Sequence, residues 1–290
     1  LKKVRVQSTV ADLFQTTDYI VRSIMESAVE SGLEKRGLVK DFKNISLDEK
    51  AYTKGHHYAT ILIDSDTNTV LDMVEGRKEE DVKKLFVNVS GERKQPQLNR
   101  VNMDMWKPFM NTIRSIAPQA IIVHDKFHLF KMLSEAIDKT RKKEVKDNPQ
   151  LKGQKYTVLK NANNRTETQK AIFDQLIKDN LKTSQAWLIR ENFKGVFANK
   201  QNVESNYKRW KENALTFSIN AVNKVIATFD RHLIGIINAI ITSTSSAKHE
   251  NKNGAIQSVV AKARGFRSFE RFRINVLFYF GNLNLAPQNI

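Results

Sequence analysis

The chain has 290 residues, with 48 lysines and arginines against 31 acids, a net charge of +17 and no cysteine. That length supports one large or two ordinary domains with a substantial core, and a hydrophobic content of 40% excludes a disordered chain. Lack of cysteine excludes disulfides, thiolate zinc sites and cysteine nucleophiles, while cations spread along the whole chain imply a polyanionic partner, because phosphate contacts dominate nucleic-acid affinity.

Residues 1–40 read as a helix-turn-helix-like DNA-binding segment. Val10-Ala-Asp-Leu-Phe14 and Ile20-Val-Arg-Ser-Ile24 are apolar helical runs, and Thr16-Thr-Asp18 supplies a polar turn and helix cap between them. A structural helical hairpin is the alternative. From 41 to 131 the pattern turns to strands: Asn44-Ile-Ser-Leu-Asp48, then His57 to Ile63, an Asp64-Ser-Asp-Thr-Asn68 turn, and Thr69 to Val74. Glu79 to Val87 follows as a helix with Val82, Leu85 and Phe86 on one face. Two short apolar runs come next, Val101-Asn-Met-Asp-Met-Trp106 and Ile121-Ile-Val-His-Asp-Lys-Phe-His128. Between them Phe109, Met110, Ile113 and Ile116 recur at helical spacing. Strand, helix, strand is a parallel βαβ unit, and such sheets carry their sites at the carboxyl ends of the strands.

Three antiparallel strands, helix, strand, helix, strand, helix is the order of a ribonuclease-H-like α/β core, a mixed five-stranded sheet flanked by helices. Residues 132–249 read as a large all-α insertion. Ile172, Leu176, Ile177 and Leu181 recur at three to four residues, with breaks at Asp147-Asn-Pro149, Lys152-Gly153 and Asn161-Ala-Asn-Asn164. Trp187 and Trp210 are expected in the core of that bundle. Residues 250–290 then complete the catalytic core with C-terminal helices, one near Ala255 to Ala263. After it, Arg264, Arg267, Arg271 and Arg273 alternate with phenylalanines as candidate contacts to a DNA backbone. An amphipathic helix with solvated arginines is the other reading. No apolar run reaches bilayer length, since Gly235 and Asn238 interrupt Leu233 to Ile241.

Carboxylates carry the chemistry. Phosphoryl transfer on DNA uses two divalent ions roughly 4 Å apart, and magnesium takes oxygen ligands from one or two carboxylates plus water and phosphate. Asp48 is read as ending the first strand and Asp104 as ending the fourth, and these strands are neighbours in this topology. A third acid is expected from a helix after the insertion: Glu250 is favoured, with Glu212 and Glu270 as competitors. Asp125 and His128, three residues apart, share one face of an opening helix turn. They suit either an outer-shell hydrogen-bond partner of a metal site or a cap pairing. His56 and His57 read as surface residues.

Several separated stretches resemble insertion-sequence transposases of the ISL-three type. These are Leu47-Asp-Glu-Lys-Ala-Tyr-Thr-Lys-Gly-His-His-Tyr-Ala-Thr60, Val101 to Trp106, Ala120 to His128, Glu250-Asn-Lys-Asn-Gly-Ala-Ile-Gln257 and Ala263-Arg-Gly-Phe-Arg267. The resemblance runs from about residue 8 to 287 and implies a DDE catalytic domain of ribonuclease-H-like fold. It implies Asp48, Asp104 and Glu250 as a triad holding two divalent ions, Mg or Mn, with Asp125 and His128 as the acid-x-x-His element or an alternative acid. It implies DNA as partner, both terminal inverted repeats and target, with a homo-oligomer on DNA, in the nucleoid-associated cytoplasm of a bacterium and at no membrane. The chain departs from the family in having no amino-terminal cysteine zinc ribbon and in Ser243-Thr-Ser-Ser-Ala-Lys-His249. A catalytically impaired or truncated element product that only binds DNA is the rival expectation.

Overall fold

The computed structural model describes residues 7–53, 55, 57–92, 96–242, 254–261, 263 and 265–286, in two compact units, Leu1–Ile122 with Ser245–Ile290 and Val123–Thr244. Strands β1 (Asn44–Ala51), β2 (Tyr58–Asp64), β3 (Thr69–Glu75), β4 (Arg100–Met103) and β5 (Ile121–His124) form one mixed sheet in the order β3-β2-β1-β4-β5, with the boundary between the units falling within β5. β1, β2 and β3 run antiparallel, and β1 pairs with β4 in parallel. The β2–β3 turn follows from its side chains. Asp64 accepts hydrogen bonds from the Asp66 amide at 2.9 Å and the Thr67 hydroxyl at 2.7 Å, and Asn68 takes the left-handed conformation at φ 56°.

Each sheet face is covered by helices whose apolar residues recur at helical spacing. Over one lie α3 (Glu79–Ser90) and α4 (Lys107–Ile116), where Val82, Leu85, Phe109 and Ile113 are fully buried with Ile45, Leu47, Val101 and Met103. Three acids open α3, suiting the positive helix end, and Asp81 accepts from the Lys78 amide at 2.8 Å. The opposite face carries α1 (Gln7–Leu13), α2 (Asp18–Arg36), α12 (254–261) and α13 (Phe269–Phe280). Met25, Val29, Ile256, Val259 and Phe272 pack there with Ala59, Ile61 and Ile63.

One expectation is corrected. β1 does not end at Asp48 but runs on to Ala51, because Asp48 to Ala51 pair with Ile61 to Tyr58. α1 and α2, the segment read as helix-turn-helix-like, pack one face into the sheet's own core. Val10, Val21, Met25 and Val29 are at most 4% exposed, and a Cβ on Gly32 would come within 2.9 Å of Leu283.

The second unit is helical: α5 (Lys126–Glu144), α6 (Lys155–Leu159), α7 (Glu167–Lys178), α8 (Lys182–Ala198), α9 (Val203–Thr216), α10 (Asn220–Arg231) and α11 (Leu233–Thr242). Trp187 and Trp210 are buried as expected, their indole N–H groups donating to the carbonyls of Lys160 and Ile189 at 3.0 and 2.9 Å. Short turns at Pro149–Leu151 and Ala162–Asn164 fall on the anticipated breakers. Glu144 starts α8 by accepting from the Lys182 and Thr183 amides at 2.8 and 2.9 Å. Among the described residues no single helix is long and apolar enough to cross a membrane.

Candidate active site

Alternation along a strand decides which side chains meet. Ile45 and Leu47 enter the α3–α4 core, so Ser46 and Asp48 belong to the other face. Asp48 stands directly opposite Ile61, which lies in the α2–α13 core. On β4, Val101 and Met103 enter the α3–α4 core and Asn102 alternates away from it. Ile45 aligns with Val101 and Ser46 with Asn102 in the parallel β1–β4 pair. The aligned pairs end at Ser46 and Asn102, and the same offset counted two residues further matches Asp48 with Asp104, the first residue past the end of β4. The two acids thus belong to neighbouring strands, Asp48 within β1 and Asp104 in the connection that follows β4.

Asp48 is buried, at 6% exposure. Lys50, two residues on and hence on the same face, holds its ammonium 2.8 Å from Asp48 Oδ2. That buried oxygen is within donor distance of the ammonium and has no other polar partner among the described residues. A buried carboxylate oxygen is the ligand type that a hard divalent ion takes, and here a lysine cation holds the place. Asp104 is fixed differently. Its Oδ1 accepts from the Trp106 amide at 3.0 Å, and the Trp106 indole N–H donates to the Arg77 carbonyl at 3.1 Å. The Arg77 guanidinium packs over the Tyr58 and Trp106 rings, 4.2 and 4.6 Å from their centroids, and donates to both Glu49 oxygens at 2.9 and 3.2 Å. The bond to Glu49 raises the Arg77 pKa above the ordinary arginine value; burial opposes this, and Asp104 adds a smaller pull upward.

The third predicted acid, Glu250, lies outside the described residues, as does Arg264. The chain after Glu250 is anchored, because Ile256, Val259 and Val260 of α12 join the core on the face that carries Asp48. The Phe266 amide also donates to the Tyr52 carbonyl at 2.8 Å, just past the end of β1. Among the described residues no group of three acids or histidines is placed to hold a metal ion. The competitors diverge: Glu212 sits on α9 in the second unit, and Glu270 pairs with Arg273 at 3.3 Å. Asp125 caps α5, accepting from the Phe127 amide at 2.9 Å, with His128 Nδ1 3.5 Å from its other oxygen.

Of the predicted arginines, Arg273 is committed to structure. A register shift in the β2–β3 pair accompanies burial of Asp72 at 4% exposure, and Arg273 Nε and Nη2 donate to it at 2.8 and 3.2 Å. Burial pulls the Arg273 pKa down, but the bonds to Asp72 leave it raised overall. Arg267 and Arg271 instead line a cavity of about 350 Å³ with Arg22, Gln7 and Asn275. Arg22 was not anticipated, nor were Lys50 and the Arg77–Trp106 cluster. For Lys50 the signal was present, since Asp-x-Lys on a strand puts both side chains on one face.

The match to known proteins follows this geometry. Residues 45–276 match the transposase family of the ISL3 DDE type, and the chain belongs to that family. It is similar to the transposase for insertion sequence element IS1001 of Bordetella parapertussis, 25% identical over 286 residues, covering 95% of this chain and 70% of that protein. It is also similar to the transposase for insertion sequence element IS1557 of Mycobacterium tuberculosis, 24% identical over 257 residues, covering 79% of this chain and 58% of that protein. The chain thus spans between 58% and 70% of the length of these relatives. No solved structure matches it significantly.

Proposed function

We propose that this chain carries the catalytic domain of a DNA transposase that cleaves element ends and joins the freed 3′ hydroxyl to target DNA. The strand order β3-β2-β1-β4-β5, with one parallel pair and helices on both faces, supports a ribonuclease-H-like core. The observation that supports the reading is the parallel pairing of β1 with β4, the strand that carries Asp48 beside the strand that leads into Asp104. Asp48 and Asp104 are the acids to hold two divalent ions, magnesium or manganese, and Glu250 on the approach to α12 is the third. Such ions, when bound, activate the attacking oxygen and stabilise the leaving one. The protein's own residues do the rest. Trp106 and Arg77 keep the Asp104 carboxylate oriented, and the sheet fixes the spacing of the two strands. Arg22, Arg267 and Arg271 neutralise backbone phosphates, the net charge of +17 drawing DNA to them.

The DNA partners in this reading are the terminal inverted repeats and the target, engaged by a homo-oligomer in the nucleoid-associated cytoplasm of a bacterium. Asp125 and His128 are the alternative acid and the acid-x-x-His element of this reading. The test is cleavage of a plasmid bearing the element's terminal repeats. Asp48→Asn and Asp104→Asn are each expected to abolish magnesium-dependent nicking while retaining DNA binding. Wild-type nicking by either variant removes that residue from the mechanism.

A further inference from the structure

We propose that Lys50 is a built-in countercation that occupies Asp48 in the metal-free protein and is displaced when a divalent ion binds. It would thereby set the metal affinity of the site. This inference rests on the reading of Asp48 as a metal ligand. The pairing is enforced by the fold, because residues two apart on β1 project from the same face. The Lys50 ammonium lies 2.8 Å from Asp48 Oδ2, with the two side chains 18% and 7% exposed. The intervening acid, Glu49, alternates to the opposite face and is bound by Arg77, so it does not draw Lys50 away.

The competition has a definite direction. An isolated buried carboxylate is strongly destabilising, so Lys50 stabilises the empty site. A divalent ion carries twice the charge and, as a hard cation, prefers carboxylate oxygen, so it wins the contact. The ammonium sits on a flexible four-carbon stem and swings out of the way, with its charge intact for a DNA phosphate. The ion must displace a cation already present, so the site binds metal more weakly than the same carboxylates without Lys50.

The experiment measures Mn2+ binding directly on the full chain without DNA, by the electron paramagnetic resonance signal of free Mn2+. Lys50→Met keeps the stem and removes the charge. It is expected to bind Mn2+ about 5- to 30-fold more tightly than wild type, the factor that one or two kcal/mol represents. Its metal-free melting temperature should fall, and the rise on adding Mn2+ should be larger than in wild type. Lys50→Arg, which restores a cation, should return the affinity to the wild-type value. Should Lys50→Met fail to fold, Lys50→Gln carries the same expectation. Unchanged or weaker Mn2+ binding in the uncharged variants, with binding lost in Asp48→Asn, overturns the role of Lys50 and leaves the metal site standing. Undiminished Mn2+ binding in Asp48→Asn overturns both.

Discussion

Arg77 does several jobs with one residue. It closes an ion pair with Glu49, fills the gap between the Tyr58 and Trp106 rings, and lends its carbonyl to the Trp106 indole. Trp106 is 37% exposed, yet both of its N–H groups are satisfied inside the molecule, one by Asp104 and one by Arg77. A partly exposed cluster of this kind contributes modestly. Arg77→Ala is expected to cost about 1–2 kcal/mol in denaturant unfolding. Cleavage should drop more than stability implies, because the loop carrying Asp104 loses its brace. Equal stability and activity in this variant would show that the brace is idle. Tyr52 offers a pH-dependent readout. Burial, then its hydrogen bond to Glu75, pushes its pKa up to about 12 from 10.0. The folded state therefore holds a proton that the unfolded chain releases first, so this contribution is whole below pH 10 and lost as pH rises toward 12. Melting temperatures between pH 10 and 12 should fall more steeply in wild type than in Tyr52→Phe, and parallel curves would argue against it. Asp48 and Asp104 stood out in the sequence because each closes or follows an apolar run. The Arg77 cluster was not, because it joins β1, β2 and the β3–α3 and β4–α4 connections, which no local spacing announces.

Among the elements, α13 shows why an arginine-rich stretch is ambiguous until it is folded. Phe272 and Ile274 pack into the sheet core, so the arginines at 271 and 273 border that core from different sides. Arg273 meets the buried Asp72 of β3, whereas Arg271 opens onto the cavity shared with Arg22 and Arg267. Arg273→Ala strips the buried Asp72 of its two-bond partner, leaving the Met73 amide and the nearby Arg36 charge, and about 3 kcal/mol of destabilisation is expected in urea unfolding. Arg271→Ala should shift stability by less than about 0.5 kcal/mol but weaken DNA binding and reduce its salt slope by about 1. Exchange of these outcomes between the two variants would reverse their roles. Boundaries of α3, α4, β2 and β3 were readable to within a few residues, since their apolar periodicities are strong. The end of β1 was not, because the polar run Asp48-Glu49-Lys50 hides a strand whose pairing with β2 continues. Likewise, two apolar helices about a polar turn look alike whether they read DNA or, as α1 and α2 do, pack on a sheet.

At the scale of the whole molecule, the sheet unit is built from two stretches of sequence, 7–122 and 254–286, with the helical unit's sequence inserted between them. α1 and α2 from the first stretch and α12 and α13 from the second pack on the sheet face of Asp48, and α12 begins only a few residues after Glu250. The sheet order was legible because strand and helix periodicities alternate in a pattern with few topological solutions. What sequence pattern alone left open was which acid joins Asp48, and the parallel pairing of β1 with β4 supports Asp104 in the proposed site. The most direct measurement is magnesium-dependent cleavage of terminal-repeat DNA by wild type, Asp48→Asn, Asp104→Asn and Glu250→Gln, scored beside DNA binding by each. Loss of cleavage in all three variants with binding retained is the expected result; cleavage at the wild-type rate by any one of them would contradict a site built from these three acids.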